Sequence, residues 1–322
     1  MTFGRERSVR PLTPRDISGV WGTLLLPLDT SGSIAWASLE HQTDTLVASG
    51  VHGLYAHGTA GEFHTLTTAE FDRVNALLAE RCERVGLPFQ IGATHAYAHE
   101  TLDRVARAKQ YSPGALQVIL PDWLPVSAPE CVDYLERVAE AAAPLPLVLY
   151  NPPHAKTHVS PEFLSELLDR LPTLVGVKMA GGDQDWYSHM GQAVHHPGKL
   201  RCSVFVAGHH LATGMRQGAH GSYSNVAAMS PRGAVAWYEL MQHDPETALD
   251  VETRLLRFFE GHILPLQKAG FSNPALDKFL AAIGGWSDAG LHIRWPGRSV
   301  PTEALPAARR DAHALIPELF GA

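Results

Sequence analysis

Lys178 closes the apolar run Leu174-Val175-Gly176-Val177 and is followed by Met179-Ala180-Gly181-Gly182. Such a run reads as a buried parallel strand whose last side chain emerges where the chain turns. An amine held among Val, Leu and Met is partly desolvated, which disfavours the ammonium form and lowers the lysine pKa. A neutral amine is a nucleophile toward carbonyl carbon. The six lysines are Lys109, Lys156, Lys178, Lys199, Lys268 and Lys278, and only Lys178 ends a run of this kind. The competing reading is a lysine that closes a strand and pairs with a core glutamate.

Three further stretches carry usable chemistry. In His57-Gly58-Thr59-Ala60-Gly61-Glu62 the turn lets backbone N–H groups and the Thr59 hydroxyl point at an anion such as a carboxylate; otherwise it is a plain glycine turn. Tyr150 ends an apolar run before Asn151-Pro152-Pro153, with a hydroxyl able to relay protons or simply buried in the core. Ala207-Gly208-His209-His210 is the third. His95 and His99 have the spacing that one helical turn gives to metal ligands, but no HExxH or carboxylate-supported pattern accompanies them, so no metal is expected.

These residues need elements that bring them together. Residues 21–27 form an apolar run between Gly19 and a turn at 29–32, and residues 36–49 follow with helical spacing until Gly50. The alternation recurs, with strands at 51–56, 88–92, 115–120, 145–150, the lysine run, 201–207 and 218–223. Helices are expected at 68–84, capped by Thr67 or Thr68, and at 100–110, 128–143, 161–170 and 211–216. About eight alternations with short connections predict an α/β fold, a closed parallel (β/α)8 TIM barrel. Beyond Ser230 the pattern is helical, near 232–242, 248–263, 274–282 and 302–319. The expected organisation is a barrel core over residues 1–230, with 231–322 a closing helix and a C-terminal helical extension of the same domain. Catalytic groups in such barrels gather at the C-terminal ends of the strands, so the four stretches should share one mouth, with His57, His95, His154, His209 and His210 near it.

Composition narrows the partners. The chain has 322 residues, 45% of them hydrophobic, and a formal charge of −7 with no basic block, which argues against nucleic acid or an anionic membrane surface. Cys82, Cys131 and Cys202 lack CxxC spacing, no apolar run reaches membrane-spanning length, and the polar start has no signal-peptide core. A cytoplasmic protein acting on a small polar ligand is the expectation.

The order Gly-Thr-x-Gly-Glu, Tyr-Asn-x-Pro, Gly-Val-Lys, together with Gly32-Ser33-Ile34, Gly50-Val51-His52-Gly53-Leu54 and Leu66-Thr67, resembles the dihydrodipicolinate synthase and N-acetylneuraminate lyase family. The resemblance runs from about Leu12 to about Gly297. It implies a lyase or aldolase that forms a Schiff base with pyruvate or another 2-oxo acid, needs no cofactor, and assembles as a homotetramer or homodimer. Carried over by position, Lys178 attacks the ketone carbon and Tyr150 moves the protons. Thr59, with the amides of Thr59 and Ala60 after Gly58, holds the carboxylate. Gly208, Tyr223 and Ser224 match the pocket floor, and Glu62 is structural.

The chain also departs from that pattern. Ala60 replaces a hydroxyl residue, and Pro121-Asp122-Trp123 stands where the synthase has Pro-Tyr-Tyr with a relay tyrosine, a role an indole cannot fill. After Tyr150 the chain reads His154-Ala155-Lys156, without the arginine that the synthase uses for its aldehyde's carboxylate. Both differences argue against the lysine-pathway synthase. Trp123 resembles the hydratase-aldolases acting on aromatic 2-oxo acids, where an indole could stack on substrate; alternatively it packs at an oligomer contact. A dehydratase of a keto-deoxy sugar acid and a non-catalytic metabolite-binding barrel complete the alternatives. His209-His210 is a candidate for selecting an anionic substrate.

Overall fold

The computed structural model describes residues 10–196 and 198–321, so the polar start over residues 1–9 lies outside the described residues. Strands β1 (Gly19–Thr23), β2 (Gly53–Ala56), β3 (Phe89–Gly92), β4 (Ala115–Val118), β5 (Leu147–Tyr150) and β6 (Leu174–Lys178) are followed by a small hairpin. The hairpin pairs β7 (His195–His196) with β8 (Lys199–Leu200), and β9 (Ser203–Phe205) and β10 (Gly221–Tyr223) complete the set. All but the hairpin strands pair in parallel as a closed barrel in the order β1-β10-β9-β6-β5-β4-β3-β2. The expected (β/α)8 barrel is the architecture found.

Helices α1 (Trp36–Val47), α2 (Thr68–Val85), α3 (Ala98–Lys109), α4 (Ala128–Ala142) and α5 (Pro161–Arg170) connect the first six strands. Local chemistry fixes their ends. Thr67 with Glu70, and Ser127 with Glu130, form reciprocal capping boxes, while Gly86 ends α2 in the left-handed region. A helix absent from the sequence reading, α6 (Gln184–Val194), follows β6, capped by Asp183 and burying Tyr187, Met190, Ala193 and Val194. The first strand begins at Gly19 and ends at Thr23, which pairs with Tyr55 as the last register position shared with β2. α7 (Leu211–Arg216) links β9 to β10.

Side chains sort into two main cores and a small third one, in which Leu25 and Ala60 meet Ala281 and Ala289. Leu12, Ile17, Trp21, Tyr55, Val148, Val175, Phe205 and Tyr223 fill the barrel interior, and a larger cluster packs strands against helices. Strand β5 alternates cleanly, with Leu147 and Leu149 in the outer cluster and Val148 inside. Strand β6 does not. Leu174 and Val177 are both outside, three residues apart, and the β5–β6 register shifts between Leu147/Leu174 and Val148/Gly176. This bulge at Val175-Gly176 reverses the parity of the strand end, so Lys178, paired with Tyr150, turns into the barrel instead of toward the helices.

After β10 come α8 (Asn225–Met229), α9 (Pro231–His243) and α10 (Pro245–Phe258). A single π-helical turn over Phe259–Ile263 then leads to α11 (Leu264–Lys268), α12 (Asn273–Gly284) and α13 (Leu305–Leu315). α8 and α9 pack on β1, and α12 packs on α8. One buried ion pair ties this extension to the barrel: Lys278 of α12, fully buried, lies 2.6 Å from Glu62 in the loop after β2. Glu62 also accepts from the Arg294 backbone N–H, and the Arg294 side chain reaches Glu70 and the carbonyls of Gly32 and Thr65. A core glutamate therefore does hold a lysine, but it is Lys278 and not Lys178. Removing one partner strands a charge in the interior. Lys278→Ala is expected to lower the free energy of unfolding by about 3–5 kcal/mol, read as a reduced urea midpoint at unchanged slope.

Candidate active site

The strand ends and the C-terminal helices enclose a cavity of about 620 Å³. Its floor carries Thr23, Tyr55, Thr59, Ala60, Tyr150, Lys178, Gly208, Tyr223 and Ser224, and the helical extension adds the apolar Leu256, Phe259, Ile263, Leu264, Leu276 and Leu280 together with Glu260, Gln267, Asn273 and Asp277.

Lys178 Nζ stands 4.4 Å from the centre of the Tyr150 ring and 5.6 Å from that of Tyr223. Burial brings its amine down from 10.5 to about 8, with the negative charge of Asp277 working in the opposite direction. A substantial neutral fraction is thus present near neutral pH. Burial pushes the Tyr150 phenol up to about 12, partly offset by the Thr59 hydroxyl beside it, so it stays protonated as a donor. Tyr223 and Tyr55 sit deeper, with ring centres 4.5 Å apart, and burial raises both phenols. The Tyr223 hydroxyl donates to Gln90.

The loop after β2 is bracketed by two non-glycine residues in the left-handed region, His57 (φ 63°) and Glu62 (φ 50°). Gly61 and Glu62 donate to the carbonyls of Gly58 and Thr59 at 3.1 and 3.0 Å. Among the described residues the N–H groups of Thr59 and Ala60 have no protein acceptor, which leaves two adjacent donors at the cavity floor for an anion. Gly58 allows the turn to lie on Tyr55, whose ring would be 2.4 Å from a Cβ at that position. Gly208 is likewise pressed on Ser224 and Asn225, and the Ser224 hydroxyl is used to cap α8 by accepting from Ala227 N–H.

Not every expected residue reaches this cavity. Trp123 stands 82% exposed on the loop after β4, outside the lining, with Lys156 Nζ 5.5 Å from its ring. His57 is buried behind the loop, 2.9 Å from Asn75, and His154 is exposed outside the cavity. His95 precedes α3, which begins at Ala98, so it does not share a helical turn with His99. Among the described residues no group of three or more His, Cys, Asp or Glu gathers as metal ligands would.

His209 and His210 do line the cavity. The backbone N–H of His209 donates to Asn225 Oδ1 at 3.2 Å, which turns the amide nitrogen toward His209 Nδ1 at 2.8 Å. An amide N–H only donates, so Nδ1 must accept and the ring proton resides on Nε2. Burial, with His210 adding to it, holds His209 down at about 4. It is a neutral donor stacked on Phe259.

The sequence reading missed Asp277, Phe259 and Asn225. Asp277 lines the cavity with Asn273, Leu276 and Leu280 on one face of α12, and burial pushes its carboxyl up to about 6, with the Lys178 ammonium opposing. The spacing of those four positions was a legible signal of an aspartate on an apolar helix face.

The family model described as the dihydrodipicolinate synthetase family matches residues 16–314. The chain belongs to this family. A DapA-like lyase of Halobacterium salinarum, itself named as uncharacterized, is 30% identical over 70% of this chain and 72% of its own length. The 4-hydroxy-tetrahydrodipicolinate synthase of Hyphomonas neptunium is 29% identical over 88% of this chain and 94% of its own. Among solved structures, YagE from E. coli K12, a member of the dihydrodipicolinic acid synthase family in complex with pyruvate, superposes with a TM-score of 0.80 at 21% identity. That superposition covers 93% of this chain and 98% of YagE. Members of the dihydrodipicolinate synthetase family are lyases, and this chain has their barrel and their helical extension. Among its described residues no helix is long and apolar enough to cross a membrane.

Competitive amine labelling read by mass spectrometry is expected to give Lys178 a protection midpoint near pH 8, with ammonium below it and reactive amine above.

Proposed function

We propose that the protein is a Schiff-base-forming lyase that joins or splits a 2-oxo acid and an aldehyde. One observation carries the reading: a buried amine brought down to about 8 shares a cavity with a phenol and with two unpartnered N–H groups. Each fits a part of such a substrate. The amides and hydroxyl of Thr59, with the amide of Ala60, would receive the carboxylate, and Lys178 the adjacent carbonyl carbon. Attack gives a carbinolamine; Tyr150 protonates the departing hydroxyl, water leaves, and a protonated imine remains. Loss of a proton from the neighbouring carbon then yields the enamine.

The lining speaks to the second substrate. Lys178 is the single Lys or Arg among the lining residues, so a second carboxylate would find no cation there. Leu256, Phe259, Ile263 and Leu264 suit an uncharged aldehyde with an apolar or aromatic body. This favours a hydratase-aldolase acting on aromatic 2-oxo acids over the lysine-pathway synthase.

Borohydride added with pyruvate is expected to add one reduced pyruvyl group at Lys178, located by peptide mass spectrometry. Lys178→Ala should give no adduct, and Tyr150→Phe should slow trapping about 10²–10⁴-fold. Labelling elsewhere, or nowhere, would refute the mechanism.

A further inference from the structure

Resting on the imine reading above, we propose that Asp277 is a catalytic residue, the proton donor and acceptor for the aldehyde oxygen in the carbon–carbon bond step. The carboxyl group lines the same cavity as Lys178, Tyr150 and Thr59 but arrives from α12, on the side of the apolar wall. It lines the cavity within electrostatic reach of Lys178, Tyr150 and Tyr55, three groups of the floor. Among the described residues nothing donates a hydrogen bond to it. The neighbouring Lys278 cannot neutralise it, because that ammonium is held by Glu62 and the His292 carbonyl. A half-buried carboxylate without a structural partner is costly to keep, and here it is aimed into the space where the second substrate must lie.

The floor residues also leave this task open. Tyr150 and Thr59 serve the carbonyl and carboxylate of the 2-oxo acid, while the aldehyde oxygen must sit one carbon beyond the enamine. In the forward direction the enamine carbon attacks the aldehyde carbon, and the electron pair of the enamine forms the new bond. The C=O π pair moves to oxygen, which takes the proton of the Asp277 carboxyl, and the imine is regenerated. In reverse, the Asp277 carboxylate takes the hydroxyl proton, the carbonyl re-forms, and the pair of the breaking carbon–carbon bond neutralises the iminium to enamine. Because burial moves this carboxyl up to about 6, both protonation states are accessible near neutral pH.

The test separates the two halves of the reaction in Asp277→Asn. Pyruvate trapping by borohydride and deuterium uptake into the pyruvate methyl group report imine and enamine; product formation from pyruvate with benzaldehyde or glyceraldehyde reports the bond step. Loss of the negative charge lowers the Lys178 pKa further, so trapping at pH 7 should hold or rise severalfold. Product formation should fall at least about 100-fold. Trapping that holds or rises while product formation collapses is something a misfolded or loosened site cannot produce. Product formation within threefold of the parent overturns the assignment, as does an equal loss of trapping and product. A parent protein that traps pyruvate yet joins it to neither aldehyde overturns it as well. Failure of the parent to trap pyruvate at all would instead refute the imine reading beneath it.

Discussion

The site depends on keeping one amine out of water without giving it a fixed counter-charge. An isolated ammonium is expensive to bury, and the usual outcomes are neutralisation by a paired carboxylate or a lowered pKa. The chain pairs Lys278 with Glu62, although burial lowers that amine as well, and leaves Lys178 lowered without a paired carboxylate. What separates these two lysines is geometry rather than composition. Glu62 is turned, by left-handed backbone at its own position, away from the floor and toward α12, where it holds Lys278. Lys178 is left with aromatic faces and a more distant aspartate.

The bulge in β6 is the second half of that constraint. A regular strand would alternate from Leu174 and send the lysine side chain outward, among the leucines of the helical layer. Doubling Val175 and Gly176 against one partner residue uses one extra residue and turns the lysine inward beside Tyr150. The residue without a side chain stands where a Cβ would press on Val148 at 3.2 Å and on Ile17 at 3.4 Å, so the bulge and the packing of the barrel interior are fitted to each other.

The helical extension does more than close the barrel. It supplies the apolar wall of the cavity, the carboxyl of Asp277, and, through Lys278 and Arg294, a clamp on the loop that presents the Thr59 and Ala60 amides. The π-helical turn widens the backbone where Phe259, Glu260 and Ile263 meet the cavity, a local irregularity of the kind often found at functional sites. On the proposed reading, the extension and the rim loops set the second substrate while the floor serves the 2-oxo acid. The stacking of His209 on Phe259 joins the two layers, and the tautomer fixed by Asn225 leaves its Nε2–H as the donor.

The barrel was legible in the sequence because strand and helix periodicities are local and their caps and stops are written in Ser, Thr, Gly and Pro. Gly-Thr-Ala-Gly, Tyr150 and Lys178 were legible for the same reason, as residue types at strand ends. The helix after β6 is absent from the sequence reading although Tyr187, Met190 and Val194 carry its spacing. Trp123 looked like a cavity residue from its place in the chain, yet loop geometry carries it outward into solvent. Which lysine meets Glu62, which way Lys178 points, and that Asp277 faces it are settled by contacts between segments up to 216 residues apart. No local pattern encodes those distances; they exist only once the barrel has closed and the extension has folded back over its mouth.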